Sequence, residues 1–265
     1  MRDISKYGKV TSLKNSDLTQ EEFYTVYNEP FIMTEVTKEW PALQTFKLTS
    51  LIEHYPYVCE SVEVSDSQKI DLTIKDYAEL IEKKQTAGIY FKTQFHLHTK
   101  LKLDYVPPRV FNCWYAQFPQ KSKKFILSWI YIGGEGTMSF LHRDLWNTSA
   151  WNVVISGLKL WMFFPPENTN LLYNGKVNPF EPDLEKFPDF ANTKPLIAVQ
   201  EPGQLVYTPS RWWHAVYNLK SGVSLTENFI NETNIENVKE YFSEHGQYKS
   251  LESIENIAEY YQYKS

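Results

Sequence analysis

From Phe125 to Ile230 the chain is built of short apolar or alternating runs separated by turn residues, at 125–132, 137–144, 149–155, 159–164, 196–200, 204–208, 213–218 and 223–229. A period of two puts one face of each run on a core, and runs this short with little helical spacing between them predict an antiparallel jelly roll. The expected class is mainly β with added helices. The stretch 165–195 breaks the pattern with Pro165, Pro166, Pro179, Pro182, Pro188 and Pro195. Proline cannot donate to a ladder, so this stretch is expected as a long surface insertion near one mouth of the barrel. Ser156-Gly157 reads as a hairpin turn that returns Lys159 beside Val153–Ile155.

The flanks are more helical. Thr19 with Glu22, Ser50 with Glu53 and Thr73 with Asp76 have the spacing of capping boxes, each just before apolar residues at helical intervals. Phe31-Ile32-Met33, Tyr57–Val64 and Gly88-Ile89-Tyr90-Phe91 read as strands between them. After Asn234, Val238, Tyr241, Phe242, Ile254, Ile257 and Tyr260 recur at helical spacing. The expected organisation is one domain over 1–265, with an N-terminal α/β region at 1–124, the jelly-roll core at 125–230 and C-terminal helices at 231–265.

Composition narrows the function classes. Aromatic residues make up 16% of the chain, which suits broad pleated surfaces. The net charge is −5 and basic residues occur in short pairs such as Lys123-Lys124, which argues against a nucleic-acid partner. Cys59 and Cys113 are too few and too far apart for a disulfide framework or a CxxC metal site. The N-terminus MRDISKYGKV lacks the apolar stretch of a signal peptide, and no window is apolar enough to span a membrane. An intracellular protein, nuclear or cytoplasmic, is expected.

The chemistry-bearing pattern is His142-Arg143-Asp144 in one strand-like run and His214, after Trp212-Trp213, in another. Side chains at i and i+2 of a strand share a face, so His142 and Asp144 point into one space, and His214 meets them if the sheet folds back on itself. Two imidazoles and a carboxylate leave metal positions open, the arrangement of non-haem Fe(II) chemistry, whereas structural zinc takes a closed tetrahedron. An HxD triplet is also common in turns and hydrogen-bonded loops. Its context here is apolar, and buried charge requires a partner or a metal. His54, His96, His98 and His245 lack that setting and read as surface or ordinary hydrogen-bonding residues. Lys159 reads by pattern as a snorkelling edge lysine or as the cation for an anionic ligand.

Gly136–Asp144, Thr148-Ser149-Ala150-Trp151-Asn152, Gly157–Trp161, Phe164-Pro165-Pro166, Glu201-Pro202-Gly203-Gln204, Pro209–His214 and Thr226-Glu227-Asn228-Phe229 together resemble the Jumonji-C signature. Within that family the likeness is to the lysyl-hydroxylase, phosphatidylserine-receptor-like branch. The resemblance implies a cupin-like double-stranded β-helix, Fe(II) held by His142, Asp144 and His214, and 2-oxoglutarate as co-substrate. It further implies that Lys159 takes the distal carboxylate, that Ser139 supplies a hydroxyl, and that Asn152 and Thr226 donate hydrogen bonds. Tyr90 is either a further phenol for that carboxylate or a core tyrosine, and Trp129 and Trp161 are barrel walls. The implied reaction hydroxylates a protein side chain, lysine favoured, on a basic partner peptide. That partner would be matched by Glu181, Asp183, Glu185 and Asp189 in the insertion, unless these are only a solvated loop. The alternatives are N-methyl-lysine demethylation, tRNA-base hydroxylation, which the net charge disfavours, and a non-catalytic metal-binding cupin module.

Overall fold

The computed structural model describes residues 7–14, 18–65, 68–119 and 125–262, so Lys123-Lys124 and the first six residues of the N-terminal reading lie outside the described residues. In chain order the strands are β1 (Gly8–Lys9), β2 (Thr11–Leu13), β3 (Phe31–Met33), β4 (Cys59–Ser65), β5 (Gln68–Thr73), β6 (Tyr90–Thr93) and β7 (Ser128–Gly133). They continue as β8 (Met138–His142), β9 (Ser149–Val154), β10 (Leu158–Phe164), β11 (Leu196–Gln200), β12 (Leu205–Thr208), β13 (Trp213–Lys220) and β14 (Gly222–Phe229). Each of the runs expected between 125 and 230 forms a strand, with ends shifted by a few residues. The largest shift is at the first, where Phe125–Leu127 stay outside the ladder.

β4 and β5 form a separate hairpin, and the remaining strands make two sheets ordered β1-β11-β10-β13-β8 and β2-β3-β12-β9-β14-β7-β6. From β7 onward the chain changes sheet at every step except β10 to β11. That winding is a double-stranded β-helix, and it corrects the hairpin expected at Ser156-Gly157. β9 pairs with β12 and β14, while β10 pairs with β11 and β13. Lys159 therefore belongs to the sheet facing Asn152, not to a ladder beside Val153–Ile155. Both faces of these runs are buried, so alternation carried no signal for which sheet each joins. The crossing is tight: Gly157 has φ +91°, and a Cβ there would lie 2.7 Å from the Ser221 carbonyl oxygen.

The capping boxes at Thr19 and Thr73 form, with reciprocal bonds between Thr19 and Glu22 (2.8 and 3.2 Å) and between Thr73 and Asp76 (2.9 and 3.1 Å). The one expected at Ser50 does not. Its helix runs from Leu48 to His54 with Lys47 at the cap position, which leaves Ser50 inside the first turn and past the unpaired amides it would have capped. The C-terminal helices span Ile235–Glu244 and Tyr248–Gln262 and bury Val238, Phe242, Ile254 and Ile257. Among the described residues no helix is long and apolar enough to cross a membrane.

Residues 165–195 form short 3-10 turns between β10 and β11. Leu172, Val177, Phe180 and Phe190 pack on Leu160, Met162, Phe164 and Ile197. Lys159 and Trp161 alternate with those β10 residues and point the other way. The insertion leaves and re-enters the sheet at the end that carries His214, Phe163 lying opposite both Leu196 and His214, and from there it folds back as a cover for the outer face of the five-stranded sheet.

Candidate metal centre

β8 and β13 meet with His142 opposite His214 and Ser139 opposite Val216, so three steps of β8 match two of β13. The extra residue is a β-bulge. It turns Ser139 and His142 to the same side although they are three apart, leaves Met138 and Leu141 in the outer apolar cluster, and pushes Phe140 into solvent. The strand ends at His142, two residues short of the expected 144. Asp144 keeps an extended backbone (φ −62°, ψ 153°), and beyond it the chain turns sharply through Trp146 and Asn147, both at positive φ.

His142, Asp144 and His214 each offer a ligand atom, and these lie within 4.8 Å of one another. His142 Nδ1 is 2.7 Å from the Phe140 carbonyl oxygen and His214 Nδ1 is 3.3 Å from that of Trp212. With these nitrogens donating to the backbone, both Nε2 lone pairs are left for a metal. Burial, and next the neighbouring His142, lower the His214 pKa to about 4, so its imidazole is neutral at physiological pH, the form that ligates. Asp144 Oδ2 is buried with no hydrogen-bond partner. A buried carboxylate oxygen left unpaired is costly, and a divalent cation among these donors would satisfy it. The donor set fits Fe(II) and leaves positions free for other ligands.

One cavity is lined by these three residues together with Lys159, Ser139, Asn152, Thr226 and Tyr90. Lys159, buried within β10, donates from Nζ to the Tyr90 hydroxyl at 2.7 Å. Tyr90 lies over Gly133, where a Cβ would come 2.6 Å from the tyrosine ring and closer still to the Asn218 amide. Gly133→Ala is therefore expected to overpack this corner and destabilise the fold by about 1–3 kcal/mol. A thermal melt reads this, and an unchanged midpoint would show that Tyr90 gives way freely.

Asn152 Nδ2 is 2.6 Å from Thr226 Oγ1 while Asn152 Oδ1 is buried and unpaired. Asn152 Nδ2 thus donates to the Thr226 hydroxyl oxygen, which leaves the Thr226 O–H free to donate into the cavity that both residues line. Trp161 lines the cavity, stacks 5.9 Å from the His214 ring and is fixed by its indole N–H to Gln200 Oε1 at 2.8 Å. Trp129 is buried further along β7, with Lys92 Nζ 5.3 Å from its ring centre.

Tyr131, Asn228 and Gln200 carry no role in the sequence reading of the site. Tyr131 lines the cavity beside Tyr90, their rings 5.4 Å apart, and burial raises its phenol pKa, with Tyr90 and Asp144 adding to the shift. Its parity with Trp129 on β7 was the available signal. Gln200, opposite Lys159, donates to the Asn152 carbonyl at 2.9 Å and so bridges the two sheets, a contact between strands distant in sequence. His96 is buried and paired with Ser128 at 2.9 Å, and His245 bonds the Tyr241 carbonyl at 2.7 Å. Among the described residues no second cluster of metal-ligating side chains occurs.

A profile of the family described as a cupin-like domain matches residues 17–236. The chain is 26% identical over 279 residues to the protein named arginine-specific demethylase JMJ20 of Arabidopsis thaliana, an alignment covering 88% of this chain and 59% of that protein. It is 35% identical over 117 residues to the 2-oxoglutarate and iron-dependent oxygenase JMJD4 of Mus musculus, covering 41% and 27%. It is 24% identical over 255 residues to the bifunctional arginine demethylase and lysyl-hydroxylase psr-1 of Caenorhabditis elegans, covering 85% and 62%. The chain thus spans less than two thirds of the length of each of these relatives.

Proposed function

The chain belongs to the cupin-like Jumonji-C family, and from that premise we propose that it is an Fe(II)- and 2-oxoglutarate-dependent oxygenase that hydroxylates a protein side chain, lysine favoured. The observation that carries this reading is that a single cavity holds an open three-ligand set with an orphaned carboxylate oxygen and, on β10 and β6, the Lys159–Tyr90 pair. His142, Asp144 and His214 would hold the iron. Iron, when bound, would supply the activation of O₂: the oxo acid would lose CO₂ and take one oxygen atom to become succinate, and the other atom would enter a substrate C–H bond.

The chain's own residues bind and orient. Lys159 Nζ and the Tyr90 hydroxyl receive the distal carboxylate through charge-assisted hydrogen bonds. Ser139 is brought to that chamber by the bulge, and Thr226, held by Asn152, completes the polar wall. Trp161, fixed by Gln200, keeps bulk water from the side of the cavity behind His214. The backbone carbonyls of Phe140 and Trp212 hold the two imidazoles in the ligating tautomer.

A protein substrate is supported by the names of the relatives, which concern arginine and lysine residues. A basic peptide is supported by the net charge of −5. The acidic insertion adds less. Asp183 accepts from the backbone N–H of Glu185 and of Lys186, both at 3.1 Å, and Asp189 accepts from the Tyr173 hydroxyl at 3.0 Å, so both brace their own loop. Residues 1–265 act as one catalytic unit, as the extension of the core sheets by β1, β2, β3 and β6 supports. The free thiols of Cys59 and Cys113 suit the reducing nucleus or cytosol.

Removal of an N-methyl group is the second reading, favoured by relatives named as demethylases. Mass spectrometry of lysine peptides and of methylated lysine and arginine peptides after incubation with Fe(II) and 2-oxoglutarate separates the two. Gain of one oxygen is the expected result, whereas methyl loss with formaldehyde release would replace hydroxylation by demethylation. A non-catalytic cupin module would give neither, and no succinate.

A further inference from the structure

We propose that the outer edge of β8 receives an extended segment of the protein substrate and that Phe140 packs against an apolar side chain of that segment close to the oxidised residue. The proposal rests on the protein-substrate reading above. Phe140 is the extra residue of the β8 bulge and is 71% exposed. Its carbonyl oxygen bonds His142 Nδ1 at 2.7 Å, so its backbone is tied to one of the three metal-ligating residues and cannot drift from it. β8 ends its sheet, which leaves its far-side N–H and C=O groups without a ladder partner among the described residues.

Bulges also occur simply to blunt sheet edges against unwanted pairing, and that is the bland account of this one. Charge and proline, the other common devices of a blunted edge, are missing from β8, which reads Met-Ser-Phe-Leu-His and presents a phenylalanine ring to water. An extended chain rises roughly 3.3 Å per residue and the three bulged steps from Ser139 to His142 advance only two such rises, so the backbone of Phe140 lies less than about 7 Å along the strand from that of His142. A peptide paired along this edge with its reactive side chain over the metal centre brings a neighbouring residue, about two positions away, against Phe140. With no charged side chain on β8, that contact is apolar, and the peptide's charge is read elsewhere.

The test uses short synthetic peptides with one central lysine, identical except for leucine or serine on either side at positions one to three residues away, and measures oxygen incorporation by mass. Wild-type protein is expected to show a KM roughly tenfold lower for one leucine-flanked peptide than for its serine counterpart. Phe140→Ala should erase that difference and Phe140→Leu should keep most of it. Oxidation indifferent to the flanks, or a leucine preference that survives Phe140→Ala, overturns the docking edge and leaves the protein-substrate reading standing. Oxygen entering none of the peptides while 2-oxoglutarate is consumed contradicts the protein-substrate reading, and the docking edge falls with it.

Discussion

Asp144→Ala is expected to strip the protein of iron and abolish substrate oxidation while the barrel remains folded. Asp144 supplies the only carboxylate of the cluster, and its Oδ2 has no other partner, so its removal costs the fold no hydrogen bond through that atom. Two imidazoles alone hold a labile divalent ion poorly. The loss of affinity should exceed the roughly 10- to 100-fold typical of removing a partner that only orients a ligand. Iron per chain after dialysis, read beside a thermal melt, checks both halves. Retention of iron with full turnover would show that the ion sits elsewhere.

Lys159→Ala is expected to raise the 2-oxoglutarate requirement about 10- to 100-fold. A charge-assisted hydrogen bond to a desolvated carboxylate contributes about 1.5–3 kcal/mol, and each 1.4 kcal/mol is roughly tenfold in affinity. Lys159 is only 6% exposed, so alanine also leaves a void, and Lys159→Met should be made beside it to keep the volume. If the methionine variant binds 2-oxoglutarate as tightly as the wild type, the distal carboxylate lies elsewhere, and Tyr90 and Ser139 become the positions to replace.

The core strands were readable because alternation and turn residues mark them locally, and the capping boxes at Thr19 and Thr73 because a cap is a contact between residues three apart. What was not readable is pairing. The Ser156-Gly157 turn has hairpin chemistry and yet crosses between sheets, since what decides it is the pairing of β9 and β10 with different strands distant in sequence. The insertion looked like surface because of its prolines, although Leu172, Val177, Phe180 and Phe190 cover an apolar sheet face. At the site, His142 and Asp144 were found by strand parity although the strand stops at His142, because the backbone stays extended past its end. Ser139 came by resemblance alone. Parity would have pointed it away from His142, and only the bulge, set by pairing with β13, turns it inward.

The most direct test of the central claim is the conversion of 2-oxoglutarate to succinate by the purified chain, measured with Fe(II) present and again after the iron has been chelated away. Succinate formation that needs both Fe(II) and O₂, ceases on chelation and returns when Fe(II) is restored is the predicted result. No succinate from iron-loaded, folded protein, or a rate untouched by removing the iron, would contradict the claim.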